Sequence, residues 1–232
     1  MDILDLQEKY EGLVPSEILK MALEDFASDI ALISSFGVDS VALLNEVAKI
    51  DKNALILFLD TKKHFEQTYE YVEEIRKLLG LTNLQFIYPS DEFHNNVDKD
   101  GDMWQRQPNR CCYYRKTLPL GNYVKKNGIK ALITGRKSYQ TKERAGMENI
   151  EIDGETGVFK INPFAKISKD EFEKLKKAGN LPIHPLYEKG YLSIGCAPCT
   201  AIVKEGEDPR SGRWAHTKGD KDGQKEECGI HL

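Results

Sequence analysis

The 232 residues of this chain include 33 Lys and Arg against 37 Asp and Glu, which gives a net charge of −4. This balance excludes a general nucleic-acid-binding protein, and no apolar run approaches the roughly 20 residues that span a membrane. Hydrophobic residues make up 40% of the chain, enough for the core of one domain. Because the acidic N-terminus lacks a signal-peptide pattern, we expect a cytoplasmic protein whose cysteines serve metal binding or catalysis.

The first half of the chain alternates apolar strands with amphipathic helices. Strands are predicted at 29–35, 54–59, 84–88 and 130–134, and helices at 38–49, 65–79 and 118–126. Continuous apolar strands that alternate with helices predict an α/β fold with a parallel sheet covered on both faces. Ligands of such sheets bind beyond the carboxyl ends of the strands.

Three further segments complete this pattern. Residues 89–109 are polar and contain several Asp, Asn and Gly, which predicts a long loop. Residues 151–162 predict a hairpin. Ser168, with Glu171 three residues later, predicts a capping box at the start of a helix over 168–178.

A glycine turn, SSFGVDS, links the first strand to the first helix. Gly37 permits a tight turn, so that hydroxyl and N–H groups gather at the helix N-terminus and can bind an anion. A simple strand-to-helix turn with a Ser or Asp cap explains the pattern equally well. The Walker A pattern is absent, and only the Gly-x-Asp-Ser part of the pyrophosphatase loop SGGxDS is present. The candidate anion ligands are Ser34, Ser35, Gly37 and Asp39.

Four cysteines form two pairs. Cys111 and Cys112 are adjacent in RCCYYRK, and Cys196 and Cys199 form the CxxC of GCAPCT. Together they are a soft-metal ligand set. Because neighbouring side chains diverge, tandem thiolates suit a cluster with separate irons better than one zinc ion. We therefore expect a [4Fe–4S] cluster; a zinc site, redox thiols or coincidence are the alternatives.

The C-terminal part of the chain is polar and glycine-rich. It predicts a flexible arm over 205–232 that follows a domain over 1–204. The fifth cysteine, Cys228, lies in this arm, three residues before His231. It is either a free surface thiol or a nucleophile whose thiolate is stabilised when the arm docks against cationic groups.

Basic residues cluster near the predicted strand and loop ends. They are Arg115 and Lys116 after the tandem cysteines, Arg136 and Lys137 after the strand at 130–134, and Arg144 a few residues later; Arg210 and Arg213 lie at the root of the C-terminal arm. Each alone is compatible with a solvated surface charge. Together, in an acidic chain, they indicate an anionic small-molecule ligand, because Arg binds phosphate or sulfate oxygens bidentately and Lys acts as a point charge.

The order of these motifs resembles the assimilatory adenylyl-sulfate (APS) and phosphoadenylyl-sulfate (PAPS) reductase family. The matching segments are SSFGVDS, LDTKKHFEQT, CCYYRK, GRKSYQ, GCAPCT, DPRSGRW and ECGIHL. The tail ECGIHL together with CC…CxxC is similar to the iron–sulfur branch, whose usual substrate is APS. The resemblance implies a Rossmann-like sheet of the adenine nucleotide alpha hydrolase (PP-loop) type. It also implies thioredoxin- or glutaredoxin-dependent reduction of APS to sulfite and AMP in cysteine biosynthesis.

Alternatives to this function are kept open. The substrate could be PAPS, alone or beside APS, and the same fold also supports a PP-loop ATP pyrophosphatase. A module in which the cysteines hold structural zinc is a third alternative. A homo-oligomer is compatible with the sequence.

The resemblance also implies roles for individual residues. Cys228 would attack the substrate sulfur and carry an S-sulfocysteine intermediate, and Lys116 would lie between the cluster and the sulfate. The cluster ligands would be Cys111, Cys112, Cys196 and Cys199. The oxygen contacts would come from Arg210, Arg213 and His231, and the nucleotide contacts from Ser34, Ser35, Gly37, Asp39, Arg136, Lys137 and Arg144. Two departures from the family pattern are Lys62, where LDTG has glycine, and Ser138-Tyr139 after GRK.

Overall fold

The computed structural model describes residues 2–216, and within them six strands form one sheet in the order β3-β2-β1-β4-β6-β5. The strands are β1 (Ile30–Ile33), β2 (Ile56–Leu59), β3 (Leu84–Ile87), β4 (Ala131–Ile133), β5 (Ile150–Ile152) and β6 (Phe159–Ile161). Neighbouring strands are parallel except β5 and β6, which form the predicted hairpin. The predicted α/β fold with a mostly parallel sheet is confirmed.

Eight α-helices accompany the sheet in the described part of the chain. They are α1 (Ile3–Tyr10), α2 (Pro15–Phe26), α3 (Ser40–Ile50), α4 (Glu66–Leu79), α5 (Met103–Arg106), α6 (Pro108–Cys112), α7 (Leu118–Asn127) and α8 (Lys169–Gly179). Helix α4 ends at Gly80 with a left-handed φ of 67°, and α8 begins with the predicted capping box of Ser168 and Glu171. Helices α1 and α2 were not predicted.

The two faces of the sheet pack against different helices. Successive strand residues point to opposite faces, so Leu32 joins one buried cluster and Ala31 the other. The larger cluster includes Val47 of α3 and Tyr71 of α4, and the smaller includes Val124 of α7. Both faces are therefore covered, and ligands reach the sheet at its strand ends.

The prediction of a long loop over 89–109 was wrong. This segment contains a π-helical turn at Phe93–Val97, then α5 and the start of α6. Phe93 and Met103 are buried in a cluster with Cys111. Phe93, Met103 and Cys111 lie eight to ten residues apart, which is too wide to produce a continuous helical period, so the polar composition of the segment concealed its short helical turns.

The first part of the predicted arm is paired with the CxxC segment. Ala201 donates its N–H to the Gly212 carbonyl at 2.8 Å, and Trp214 donates to the Cys199 carbonyl at 2.8 Å. Residues 210–214 therefore pack beside the cysteines, and 217–232 lie outside the described residues. None of the helices in residues 2–216 is both long and apolar enough to cross a bilayer.

Candidate active site

A cavity of about 200 Å³ opens at the carboxyl ends of the parallel strands. Ser34 directly follows β1, Leu59 ends β2 and Thr134 directly follows β4, and all three line the cavity. The sequence-predicted residues that also line it are Ser34, Ser35, Gly37, Asp39, Lys116, Arg136, Lys137, Arg144, Arg210 and Arg213. The fold therefore brings ten candidates from five separate segments to one cavity, at the location expected for such a sheet.

The loop between β1 and α3 is held by its own serines. Ser34 Oγ accepts a hydrogen bond from the Phe36 N–H at 3.1 Å, and Ser35 Oγ lies 2.9 Å from Ser40 Oγ. The left-handed residue of the turn is Phe36, with φ of 49°, rather than Gly37. Its fully buried ring packs edge-on against Phe58, which stabilises a backbone conformation that costs of order 1–3 kcal/mol.

Asp39 of the same loop is engaged by two lysines. Its carboxylate accepts hydrogen bonds from Lys137 Nζ at 3.0 Å and Lys176 Nζ at 3.2 Å. Burial raises the pKa of Asp39, but the two ammonium groups outweigh burial and lower it overall. Lys137 is 1% exposed and its Nζ lies 3.8 Å from the centre of the Phe172 ring. Burial lowers the pKa of Lys137. Asp39 and Lys137 therefore tie the loop to α8.

Arg136 is held by the β5–β6 hairpin. Its guanidinium forms an ion pair with Glu151 at 2.8 Å and donates to Asn162 Oδ1 at 3.1 Å. The same Asn162 oxygen accepts from Thr134 Oγ1 at 2.7 Å. Burial lowers the pKa of Arg136, although an arginine stays charged at neutral pH. The contacts with Glu151 and Asn162 therefore fix the orientation of the Arg136 side chain at the cavity wall.

A smaller pocket adjoins the cavity and brings the two cysteine pairs together. Its lining includes Cys111, Cys112, Cys196 and Cys199, all with free thiols. Trp104 and Trp214 pack against three of these cysteines. Within residues 2–216, no three Cys, His, Asp or Glu side chains form a group that could hold a metal ion.

Two thiols of this pocket, those of Cys111 and Cys199, are in an environment that favours the protonated form. Burial, and next the neighbouring Cys196 and Cys111, raise the pKa of Cys199 to about 12. Burial also raises the pKa of Cys111, although Arg115 opposes it. Thr61 Oγ1 lies 3.2 Å from Cys196 Sγ. Holding four thiolates together here requires compensating positive charge.

One wall separates the two cavities. Lys116, Arg213 and Trp214 line both of them, and we call these three residues the shared wall. Lys116 belongs to a π-helical turn at Tyr113–Thr117 directly after the tandem cysteines. The Arg213 guanidinium lies 4.6 Å from the centre of the Trp214 ring. Two cations therefore lie between the cysteines and the larger cavity.

Two important residues were missed by sequence reasoning. Arg115 was noted only as basic, but it is fully buried and pairs with Asp98 at 2.5 Å. It also donates to the Thr61 carbonyl at 2.7 Å. His64 lines the cavity, and burial lowers its pKa to about 4. The position of His64 in LDTKKHFEQT, a few residues after the end of β2, was the sequence signal that could have found it.

The replacement of the LDTG glycine is accommodated locally. Lys62 adopts the left-handed conformation, with φ of 58°, that glycine favours. Its Nζ lies 3.4 Å from Asp60 Oδ2 and 3.9 Å from the centre of the Tyr88 ring. The backbone of the motif therefore keeps a glycine-like geometry. The two remaining candidates, Cys228 and His231, lie outside the described residues.

The family profile described as "Phosphoadenosine phosphosulfate reductase domain" matches residues 29–202, which contain the β1–α3 loop and all four pocket cysteines. The chain belongs to this reductase family. A relative named adenosine 5'-phosphosulfate reductase from Chelativorans sp. is 40% identical over 100% of this chain and 91% of its own length. Adenosine 5'-phosphosulfate reductase 1 of Bacillus subtilis is 32% identical over 97% of this chain and 92% of its own length.

Solved structures agree with membership of the reductase family. A phosphoadenylyl-sulfate (PAPS) reductase from Candida auris, solved as a phosphate complex, matches with a TM-score of 0.72 and 26% identity. The match covers 87% of this chain and 96% of that one. Candida glabrata FMN adenylyltransferase, at a TM-score of 0.60 and 14% identity over 97% of this chain and 83% of its own, shares the fold alone. The predicted resemblance to the reductase family and its PP-loop-type fold is confirmed.

Proposed function

We propose that this protein reduces APS to sulfite and AMP in assimilatory sulfate reduction, with thioredoxin or glutaredoxin as reductant. One observation carries the proposal: a cation-lined cavity at the strand ends shares a wall of Lys116 and Arg213 with a pocket of four cysteines. Relatives named adenosine 5'-phosphosulfate reductase align over nearly the whole chain and support it.

Substrate binding follows from the charges of the cavity. A phosphate–sulfate anhydride carries negative oxygens on both groups, and arginine binds such oxygens bidentately. Lys116, Arg210 and Arg213 are the cations that we assign to these oxygens. The loop at 34–40 and the hydroxyls at the N-terminus of α3 would receive the nucleotide.

The chemical step is a displacement at sulfur. The Cys228 thiolate attacks the sulfate sulfur, an S–S bond forms, the bond from sulfur to the bridging oxygen breaks, and AMP leaves with the electron pair. The cations neutralise the sulfate oxygens that would otherwise repel the thiolate. His231 is assigned to the same oxygens.

The reductant completes the cycle. A thioredoxin or glutaredoxin thiolate attacks Cys228 Sγ, sulfite leaves, and a mixed disulfide forms. A second thiol of the reductant then releases Cys228, so the dithiol supplies the two electrons that reduce the sulfur. Since these reductants maintain cytoplasmic thiols, we place the reaction in the cytoplasm.

We also propose that Cys111, Cys112, Cys196 and Cys199 hold a [4Fe–4S] cluster. Four soft thiol donors line one pocket, and burial raises the pKa values of Cys111 and Cys199, so positive charge is needed to hold these two as thiolates. A cluster with an iron at each corner does not require the donors to converge on one atom. Bound there, it would supply an electrostatic or structural contribution beside Lys116, because four cysteines leave no open iron.

PAPS is the second candidate substrate. The solved structure from Candida auris, a PAPS reductase, favours it. PAPS differs from APS by a 3′-phosphate, which requires additional cationic contacts. Competition kinetics with both nucleotides decides: we expect kcat/KM for APS to exceed that for PAPS, and the reverse order would make PAPS the substrate.

The proposed activity is tested by following sulfite and AMP from APS with thioredoxin and its reducing system. The wild-type protein should form both products in equal amounts, whereas Cys228→Ser should form neither. Pyrophosphate formed from ATP, without sulfite from APS, would contradict the proposal and support an ATP pyrophosphatase.

A further inference from the structure

Gly195 immediately precedes the CxxC motif and lines the substrate cavity. Its φ lies outside the left-handed region, so any L-residue could adopt its backbone conformation. Its N–H donates to Thr200 Oγ1 at 3.1 Å, a bond that any residue except proline could make. Neither conformation nor hydrogen bonding therefore explains a glycine here.

The space beside Gly195 is taken by Arg213. A Cβ atom on residue 195 would lie 2.5 Å from Nη2, 2.7 Å from Cζ and 3.1 Å from Nη1 of that arginine. Contacts as short as those to Nη2 and Cζ are strongly repulsive, since the optimal separation of non-bonded carbon atoms is about 3.5–4.0 Å. The guanidinium thus occupies the volume that any larger residue would need.

Arg213 is located mainly by packing. Its backbone forms an isolated bridge with Thr200, and its guanidinium lies over the Trp214 ring. Its Nε is buried and makes no hydrogen bond to the described residues. A group held this way moves readily when the surface beneath it changes.

We propose that Gly195 is a positioning residue: its missing side chain makes room for the Arg213 guanidinium in the shared wall, between the substrate cavity and the four cysteines. The role rests on the proposed function, in which Arg213 binds the oxygens of the sulfonucleotide. A methyl group at position 195 pushes the guanidinium out of the wall.

Gly212 provides an instructive contrast in the neighbouring segment. A Cβ there would collide with the backbone carbonyl oxygen of Ala201, so alanine at 212 must disturb the paired segments. At 195 the collision falls on the end of a flexible side chain. Gly195→Ala should therefore fold while its arginine is displaced.

The test is a double-mutant cycle on APS binding, measured by calorimetry. All proteins carry Cys228→Ser, so that the substrate is not consumed. Gly195→Ala and Arg213→Ala should each weaken APS binding by roughly 10- to 100-fold, the value of a hydrogen bond to a charged group. The double variant should bind no more weakly than Arg213→Ala alone. Gly121→Ala is the matched control, because nothing lies within 4 Å of its Cβ, and it should bind normally.

Unchanged affinity in Gly195→Ala, or losses that add in the double variant, would overturn the proposal. Should Gly195→Ala fail to fold, thermal unfolding gives the second test. The double variant should unfold at the same temperature as Arg213→Ala, because the methyl group then has room, and a lower temperature overturns the proposal. If the protein with Cys228→Ser as its single change binds no APS, the proposed function is overturned, and the role of Gly195 with it.

Discussion

The cations around the site belong to two regions that manage their charge differently. Arg115, Arg136 and Lys137 are buried and each pairs with an acidic side chain, so we call them the paired cations. In the shared wall, the Arg213 guanidinium packs on the Trp214 ring and occupies the space beside Gly195. From this comparison we propose that the paired cations stabilise the fold, whereas the shared wall binds the anionic ligand. Variants of each region, measured for both free energy of unfolding and APS affinity, test this division.

The largest effect is expected at the most buried pair. Arg115→Met should lower the free energy of unfolding by about 3–5 kcal/mol, because Asp98 then remains as an uncompensated buried charge. Denaturant unfolding measures it. The control, Arg115→Met with Asp98→Asn, should recover part of the loss; a single variant as stable as wild type would mean that the pair does not stabilise the fold.

The next effect is expected at His184, a buried histidine whose pKa is shifted by burial. His184 Nδ1 accepts from the Leu186 N–H, Nε2 lies 3.2 Å from Thr68 Oγ1, and burial lowers its pKa to about 4. As the pH falls, His184 takes up a proton first in the unfolded chain, where its pKa is near 6.5. The contribution of neutral His184 to stability is therefore complete above pH 6.5 and falls as the pH drops towards 4.

This residue should make the protein about 2 kcal/mol less stable at pH 5 than at pH 7. Denaturant unfolding at pH 5 and pH 7 measures this difference, and His184→Gln should remove the part that His184 contributes. The lowered pKa of His64 gives a separate contribution in the same direction, which the variant keeps. An identical slope in wild type and variant would show that His184 is already protonated, or exposed, in the folded protein.

The smallest change in stability is expected in the shared wall. Lys116→Ala should weaken APS binding by about 1.5–3 kcal/mol, the worth of a hydrogen bond to a charged group. Its free energy of unfolding should change by less than about 0.5 kcal/mol. Calorimetry and denaturant unfolding on one preparation measure both. Loss of stability without loss of affinity would place Lys116 with the paired cations and erase the distinction.

Local sequence patterns predicted the elements that local physics determines. Continuous apolar strands, the period of α3 and α4, the stop at Gly80 and the cap at Ser168 all follow from neighbouring residues. The convergence of separate basic segments on one cavity followed from the parallel sheet.

What could not be predicted depends on contacts between distant segments. Asp98 lies seventeen residues before Arg115, inside a stretch whose composition indicates a loop. The space that Gly195 provides for Arg213 is visible only when both segments are placed. Phe36, rather than Gly37, takes the left-handed conformation, because its ring is fixed by core packing with Phe58.

The central claim is that Cys228 attacks the sulfur of APS. Mass spectrometry of the intact protein after mixing with APS, without thioredoxin or glutaredoxin, tests it most directly. The account predicts a sulfonate adduct on wild-type protein that maps to Cys228 and is absent from Cys228→Ser. Wild-type protein that stays unmodified with both APS and PAPS would contradict the account.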